Sequence, residues 1–195
     1  MYSHNLTKLL ETSLHYLYPI KPEDIMKCVE IGSFEGMGSI LIHNLLCKNK
    51  DSILYCIDPF DDEYVKGNNN MAFWNNACKG QYYKFKHNTQ NYLKLIEMRG
   101  ISDIMIPKLD DNSIDFCYID GDHSPDQVYK DIIYMFEKMK NNSIVLFDDY
   151  LWEMNGIVTK PGIDKFLIEY KGQYEILLQN YQLAIRVIRN IIIDN

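Results

Sequence analysis

Phe116-Cys117-Tyr118-Ile119-Asp120-Gly121-Asp122-His123 is an apolar run that stops abruptly in acids, and Val145-Leu146-Phe147-Asp148-Asp149-Tyr150 repeats the pattern downstream. Short apolar runs bounded by turn residues read as strands buried on both faces, as in an open parallel sheet. In such sheets ligands bind beyond the carboxyl ends of the strands. The two stretches therefore predict strand ends that carry Asp120, Asp122, His123, Asp148 and Asp149 along one rim. Carboxylates with an imidazole beside them suit a divalent cation and a proton acceptor.

Outward from these runs, strand-like and helix-like periodicities alternate. Lys27–Ile31, Ile53–Ile57, Leu93–Met98, Ile114–Ile119 and Ser143–Phe147 predict five strands. Helical spacing returns in Met37–Leu46, Ser102–Leu109 and Ile163–Tyr170. A further helix opens at Ser124 as N-cap, with Pro125 at its first position, Gln127 completing a capping box, and a buried stripe of Val128, Ile132, Met135, Phe136 and Met139. Leu6, Leu9, Leu10, Leu14 and Leu17 predict a leading helix over 4–17, stopped by Pro19 and Pro22, so 1–22 reads as helix and linker. Tyr174–Leu178 and Leu183–Ile188, turning near Gln179-Asn180, are linked too tightly for a parallel crossover and predict an antiparallel hairpin.

Together these pieces predict one α/β domain over 1–195. Its core is a doubly wound, Rossmann-like, mostly parallel seven-stranded sheet, with helices on both faces and a C-terminal antiparallel hairpin. Residues 60–90 form a long connection, read as a loop, a helix over 71–78 and a turn at Lys79-Gly80. Its Phe73, Trp74, Tyr82 and Tyr83 are a candidate lid.

The net charge of −7 argues against a dedicated nucleic-acid binder, whose phosphate contacts need a basic face. The apolar runs are too short to span a membrane, and the polar N-terminus does not read as a signal peptide. The five cysteines show no CxxC pairing and fall mostly in apolar segments, which suits reduced thiols in the cytoplasm. The leading helix and closing hairpin are candidate surfaces for a homo-oligomer.

Val29-Glu30-Ile31-Gly32-Ser33-Phe34-Glu35-Gly36-Met37-Gly38 occupies the first strand-to-helix turn. Glycines there let backbone approach a ligand, and the next helix offers free N–H groups. A dinucleotide fingerprint would read G-x-G-x-x-G. Here Phe34 stands at the middle glycine and would crowd a pyrophosphate, so a nicotinamide-dependent oxidoreductase is the weaker alternative. Asp58 closes the second strand, where an acid hydrogen-bonds ribose hydroxyls. Glu30 is placed to meet a ligand amine.

The loop with Ile57-Asp58-Pro59 resembles class I S-adenosylmethionine-dependent methyltransferases, and its bulky residue between the glycines is similar to the catechol O-methyltransferase branch. The two acidic strand ends, Gly162-Ile163-Asp164-Lys165-Phe166-Leu167 and Tyr181-Gln182 resemble methyltransferase family 24. The resemblance implies S-adenosylmethionine held by Glu30, Gly32, Ser33, Phe34, Gly36, Ser39, Asp58, Ser102 and Asp120, with Ser102 near the adenine. It implies Mg²⁺ or another divalent cation on Asp120, Asp148 and Asp149, with Asp120 and His123 catalytic and His123 as the base. The implied activity is O-methylation of a small molecule or sugar, with no nucleic-acid or membrane partner. A catalytically inactive scaffold of the same fold is the other alternative. Two departures stand out. Gly38 replaces a common Ser or Thr, leaving Ser39 to reach the methionine carboxylate, and Asn141-Asn142 replaces a glycine pair before the fifth strand.

Overall fold

The computed structural model describes residues 2–17, 21–60, 79–154 and 156–189. Five parallel strands, β1 (Lys27–Ile31), β2 (Ile53–Asp58), β3 (Leu95–Arg99), β4 (Ile114–Ile119) and β5 (Met139–Phe147), join the closing pair β8 (Tyr174–Gln179) and β9 (Leu183–Val187) in one seven-stranded sheet. Its order is β3-β2-β1-β4-β5-β9-β8, with β9 antiparallel to both β5 and β8. The expected doubly wound sheet and hairpin are both present. The chain order reverses between β1 and β4, which opens a crevice at their carboxyl ends.

Strand periodicity divides the core between two faces. Val29, Ile31, Cys117, Ile119, Val145 and Phe147 pack against helices α5 (Pro125–Lys138) and α6 (Lys160–Glu169). Their neighbours Cys28, Phe116, Tyr118, Ile144 and Leu146 pack against α1 (Tyr2–Leu17), α2 (Met37–Leu46) and α3 (Gln81–Thr89). Burying each large apolar side chain contributes about 1.5–3 kcal/mol, so the strands are held by their side chains as much as by their ladders.

The register fixes the rim. Ile119 is level with Phe147, and Ile31 with both Ile57 and Ile119, so Gly32, Asp58, Asp120 and Asp148 leave four strands at one height. Asn142 has φ 65°, the left-handed turn expected of the Asn pair, beside a register shift in the β4–β5 ladder.

Four local expectations change. Ser124 does cap α5 by accepting from Gln127 N at 3.4 Å, but the Gln127 amide turns to Ser102, Asp103 and Asp131 instead of closing a capping box. Met139 begins β5, which starts earlier than Ser143. Leu93, predicted in the third strand, is 92% exposed ahead of β3. Residues 81–89 form α3, whose Phe85 is buried against Phe60, with ring centroids 4.5 Å apart. Tyr82 leans on β3 by its Glu97 bond, and Tyr83 is exposed to solvent. Phe73, Trp74, Cys78 and the helix expected over 71–78 lie outside the described residues.

After β3, a short α4 (Ser102–Met105) passes into a 3₁₀ turn at Ile106–Lys108. An unexpected two-stranded ribbon, β6 (Glu153–Met154) and β7 (Ile157–Val158), sits beside the acidic rim. Cys28, Cys47, Cys56 and Cys117 are buried free thiols. Among the described residues no helix is long and apolar enough to cross a membrane.

Candidate active site

The crevice begins at Gly32, whose φ of 88° lies in the left-handed region. A Cβ there would lie 1.9 Å from the Asp120 carbonyl oxygen, so only glycine lets the β1 loop meet the end of β4. Phe34 also takes a positive φ, 45°, and its N–H donates to Asp58 Oδ2 at 2.9 Å. Asp58 Oδ1 accepts from Phe60 N at 2.7 Å and Gln81 Nε2 at 3.0 Å. Burial raises the Asp58 carboxyl and these donors pull it back.

Glu30, 1% exposed, accepts the Ser39 hydroxyl, and burial pushes its carboxyl up to about 7. Ser39 is fully buried and spent on Glu30 rather than turned toward the crevice. A Cβ at Gly38 would lie 2.4 Å from Glu30 Oε1, so the glycine that departs from the family pattern is what gives this glutamate room. Ser102 Oγ donates to Asp131 Oδ1 at 2.6 Å, and Asp131 is buried with its carboxyl raised to about 7. Gly36 closes the loop as N-cap of α2 with φ 87°.

Among the described residues, three buried polar atoms around these strand ends have no hydrogen-bond partner: Ser33 Oγ, Gln81 Oε1 and Asp131 Oδ2. Ser33 Oγ lies near Glu30 and favours its ionised form without meeting hydrogen-bond geometry. Unpaired buried polar atoms cost about 1–3 kcal/mol each, so their concentration here fits a crevice that completes its bonding with a polar ligand. A nucleoside with an amino-acid tail has the donors to fill it.

The acidic rim is built differently. Asp120 has one long contact, from Tyr118 OH at 3.4 Å, and its carboxyl stands well above the ordinary range through burial and the charges of Asp148, Asp149 and Glu30. Asp149 Oδ2 bonds His123 Nε2 at 2.6 Å, and its Oδ1 accepts from Tyr181 OH at 3.0 Å. The His123 ring packs on Trp152 with centroids 4.5 Å apart. Asp122 closes a turn by accepting from Ser124 N at 2.7 Å, a structural role.

Asp120, His123 and Asp149 bring one ligand atom each within 4.8 Å of one another. The expected set was Asp120, Asp148 and Asp149. Asp148 instead turns inward, accepting from Gln182 Nε2, and is 3% exposed. In the turn that follows β5, Asp149 faces His123 and Tyr181 while Asp148 faces Gln182. Tyr118, Tyr181 and Gln182 stand within the motifs that carry the family resemblance, and Trp152 follows the acidic pair, whereas nothing local in the sequence marks Gln81 or Asp131 as part of these strand ends.

A doubly wound sheet with a glycine turn after β1, an acid ending β2 and acids ending β4 and β5 has the form of a nucleoside-binding α/β domain. Residues 29–150 match the Methyltransf_24 family model, described as a methyltransferase domain, and the chain belongs to that family of class I S-adenosylmethionine-dependent methyltransferases. It is 26% identical over 162 residues to an uncharacterized protein, R132, of Acanthamoeba polyphaga mimivirus. The match takes in 78% of this chain and spans 64% of that relative's length. Among solved structures, the O-methyltransferase NovP is similar in fold with TM-score 0.66, 16% identity, and coverage of 94% of this chain and 79% of that one. An rRNA methylase from Streptococcus thermophilus gives TM-score 0.58, 10% identity, and coverage of 91% and 95%.

Proposed function

We propose that this protein moves a methyl group from S-adenosylmethionine to a hydroxyl of a small molecule, with a divalent cation at Asp120 and Asp149. The observation that carries the reading is electrostatic. Glu30, Asp148 and Asp149 all act on Asp120 at a single rim, and among the described residues none of the four is paired with Lys or Arg. Uncompensated carboxylates beside a cofactor crevice are the donor set of a hard cation such as Mg²⁺, which also keeps several waters. When bound, the cation would lower the pKa of the acceptor hydroxyl and orient it.

The chain supplies the rest. Asp149 receives the Nε2–H of His123, which leaves Nδ1 as the lone-pair acceptor for the hydroxyl proton. Trp152 fixes the ring from one side and offers a wall for the acceptor. Asp58 has spare acceptor capacity on Oδ2 for ribose, and Ser33 and Glu30 border the place of the amino-acid tail. Gly32 brings that tail beside Asp120, so donor and acceptor meet by position, which is the main requirement of a direct displacement. The net charge of −7 favours a small acceptor over RNA.

The test is calorimetric titration with S-adenosylhomocysteine, then transfer of labelled methyl to a panel of phenols and sugars with Mg²⁺ or with EDTA. One bound molecule per chain and EDTA-sensitive transfer are expected. Absence of binding refutes the reading, whereas transfer indifferent to EDTA removes the cation alone.

A further inference from the structure

We propose that Ser13 of the leading helix and Gln182 of the closing hairpin form a buried clamp that positions Asp148 at the reacting rim. The proposal rests on the cation reading above for its functional meaning. Ser13, Gln182 and Asp148 are 4%, 0% and 3% exposed, and they lie in line. Ser13 Oγ donates to Gln182 Oε1 at 2.6 Å, across 169 residues of sequence, and Gln182 Nε2 donates to Asp148 Oδ1.

The direction of these bonds matters. A primary amide has one accepting and one donating end. With its oxygen taken by Ser13, Gln182 presents N–H to Asp148; reversed, it would set oxygen against oxygen. The Gln182 main chain is tied down as well, its N–H donating to Asn180 Oδ1 at 2.9 Å. Leu10, Leu14 and Leu17 of α1 share an apolar cluster with Leu146 and Ala184, which lie two residues from Asp148 and Gln182 respectively. Packing therefore seats the helix where its one hydroxyl at this contact can meet the amide.

The clamp explains how Asp148 behaves. Its carboxylate is held out of the Asp120, His123 and Asp149 group, yet it remains near enough to act on Asp120. The leading helix, which the sequence presents as an appendage, is a positioning part of the site. Groups that orient metal-binding residues typically change metal affinity by roughly 10–100-fold when removed.

The experiment is Mn²⁺ titration of the full chain followed by electron paramagnetic resonance, without cofactor or turnover. Ser13→Ala should weaken Mn²⁺ binding by about 10-fold and Gln182→Leu by up to about 100-fold, while Ser13→Thr and the neighbouring exposed Thr12→Ala stay at the parent value. Folded Ser13→Ala and Gln182→Leu proteins with parent affinity would overturn the clamp and leave the cation reading intact. If the parent binds no Mn²⁺, the cation reading falls and the clamp is judged on stability. Gln182→Leu should then lower Tm by about 5 °C in the parent and by much less beside Asp148→Ala. Equal losses in both backgrounds would overturn it.

Discussion

Asp58 and Asp120 both close parallel strands on the same rim, yet their surroundings are opposite. Asp58 receives three protein donors, two of them main-chain N–H groups. Asp120 receives one long bond and stands among three other acids. The first carboxylate is held by donors before any ligand arrives, with acceptor capacity left on Oδ2 for a neutral hydroxyl. Among the described residues no Lys or Arg pairs with the second, so what it lacks there is positive charge. On the proposed reading one sheet edge serves two ligands, with the cofactor end ordered by donors and the reacting end by crowded acceptors.

Substitutions that delete a charge but keep the shape separate the two most sharply. Asp120→Asn should suppress methyl transfer by at least about 100-fold and abolish divalent-cation binding, while raising the Tm of the free protein by a few degrees through loss of like-charge repulsion. Asp58→Asn should do the reverse to stability. Its amide cannot accept from Phe34, Phe60 and Gln81 on both sides, and the loss should be about 1–3 kcal/mol in denaturant unfolding. If both variants move Tm in the same direction, the contrast is wrong.

His123→Ala should lower the rate by about 10²–10⁴-fold. The loss should be largest below the pKa of the acceptor hydroxyl and shrink as pH rises toward it. A pH–rate profile with several phenols of different acidity would check this.

The pH dependence of stability sharpens the same comparison. Glu30 and Asp131 are buried with carboxyl groups raised to about 7, so the folded state holds their protons when the unfolded chain has released them. Stability is fully present below the unfolded values and is lost as pH rises toward 7. For Glu30 alone the shift from 4.5 to about 7 corresponds to about 3 kcal/mol. Tm of the ligand-free protein should therefore fall between about pH 5 and pH 8, and Glu30→Gln should flatten the slope. The smallest effect belongs to Trp152→Ala, which should raise acceptor KM several-fold with little change in cofactor affinity.

Much of this was legible from the chain because strand ends announce themselves. Apolar runs such as Phe116–Ile119 must be buried, and the acid that follows each must sit at the rim. Gly32 and Asp58 were readable for the same reason: backbone geometry and the end of a strand are local facts. Partners were not local. Asp148 looked equivalent to Asp149 until Gln182, on a distant hairpin, turned it inward. Ser39 looked free to reach a ligand until Glu30 claimed it. Residues 81–89 read as a polar connection because Phe85 alone supplies much of the buried side of α3, too little periodicity to signal a helix.

The most direct test of the account is a crystal structure with S-adenosylhomocysteine and Mg²⁺ bound. The account predicts one ion held by carboxylate oxygens of Asp120 and Asp149 at roughly 2.0–2.1 Å, with Asp148 still bonded to Gln182 and the cofactor's ribose on Asp58. An ion coordinated by Asp148 while Asp120 turns away, or a filled cofactor crevice with no ion at the rim, would contradict it.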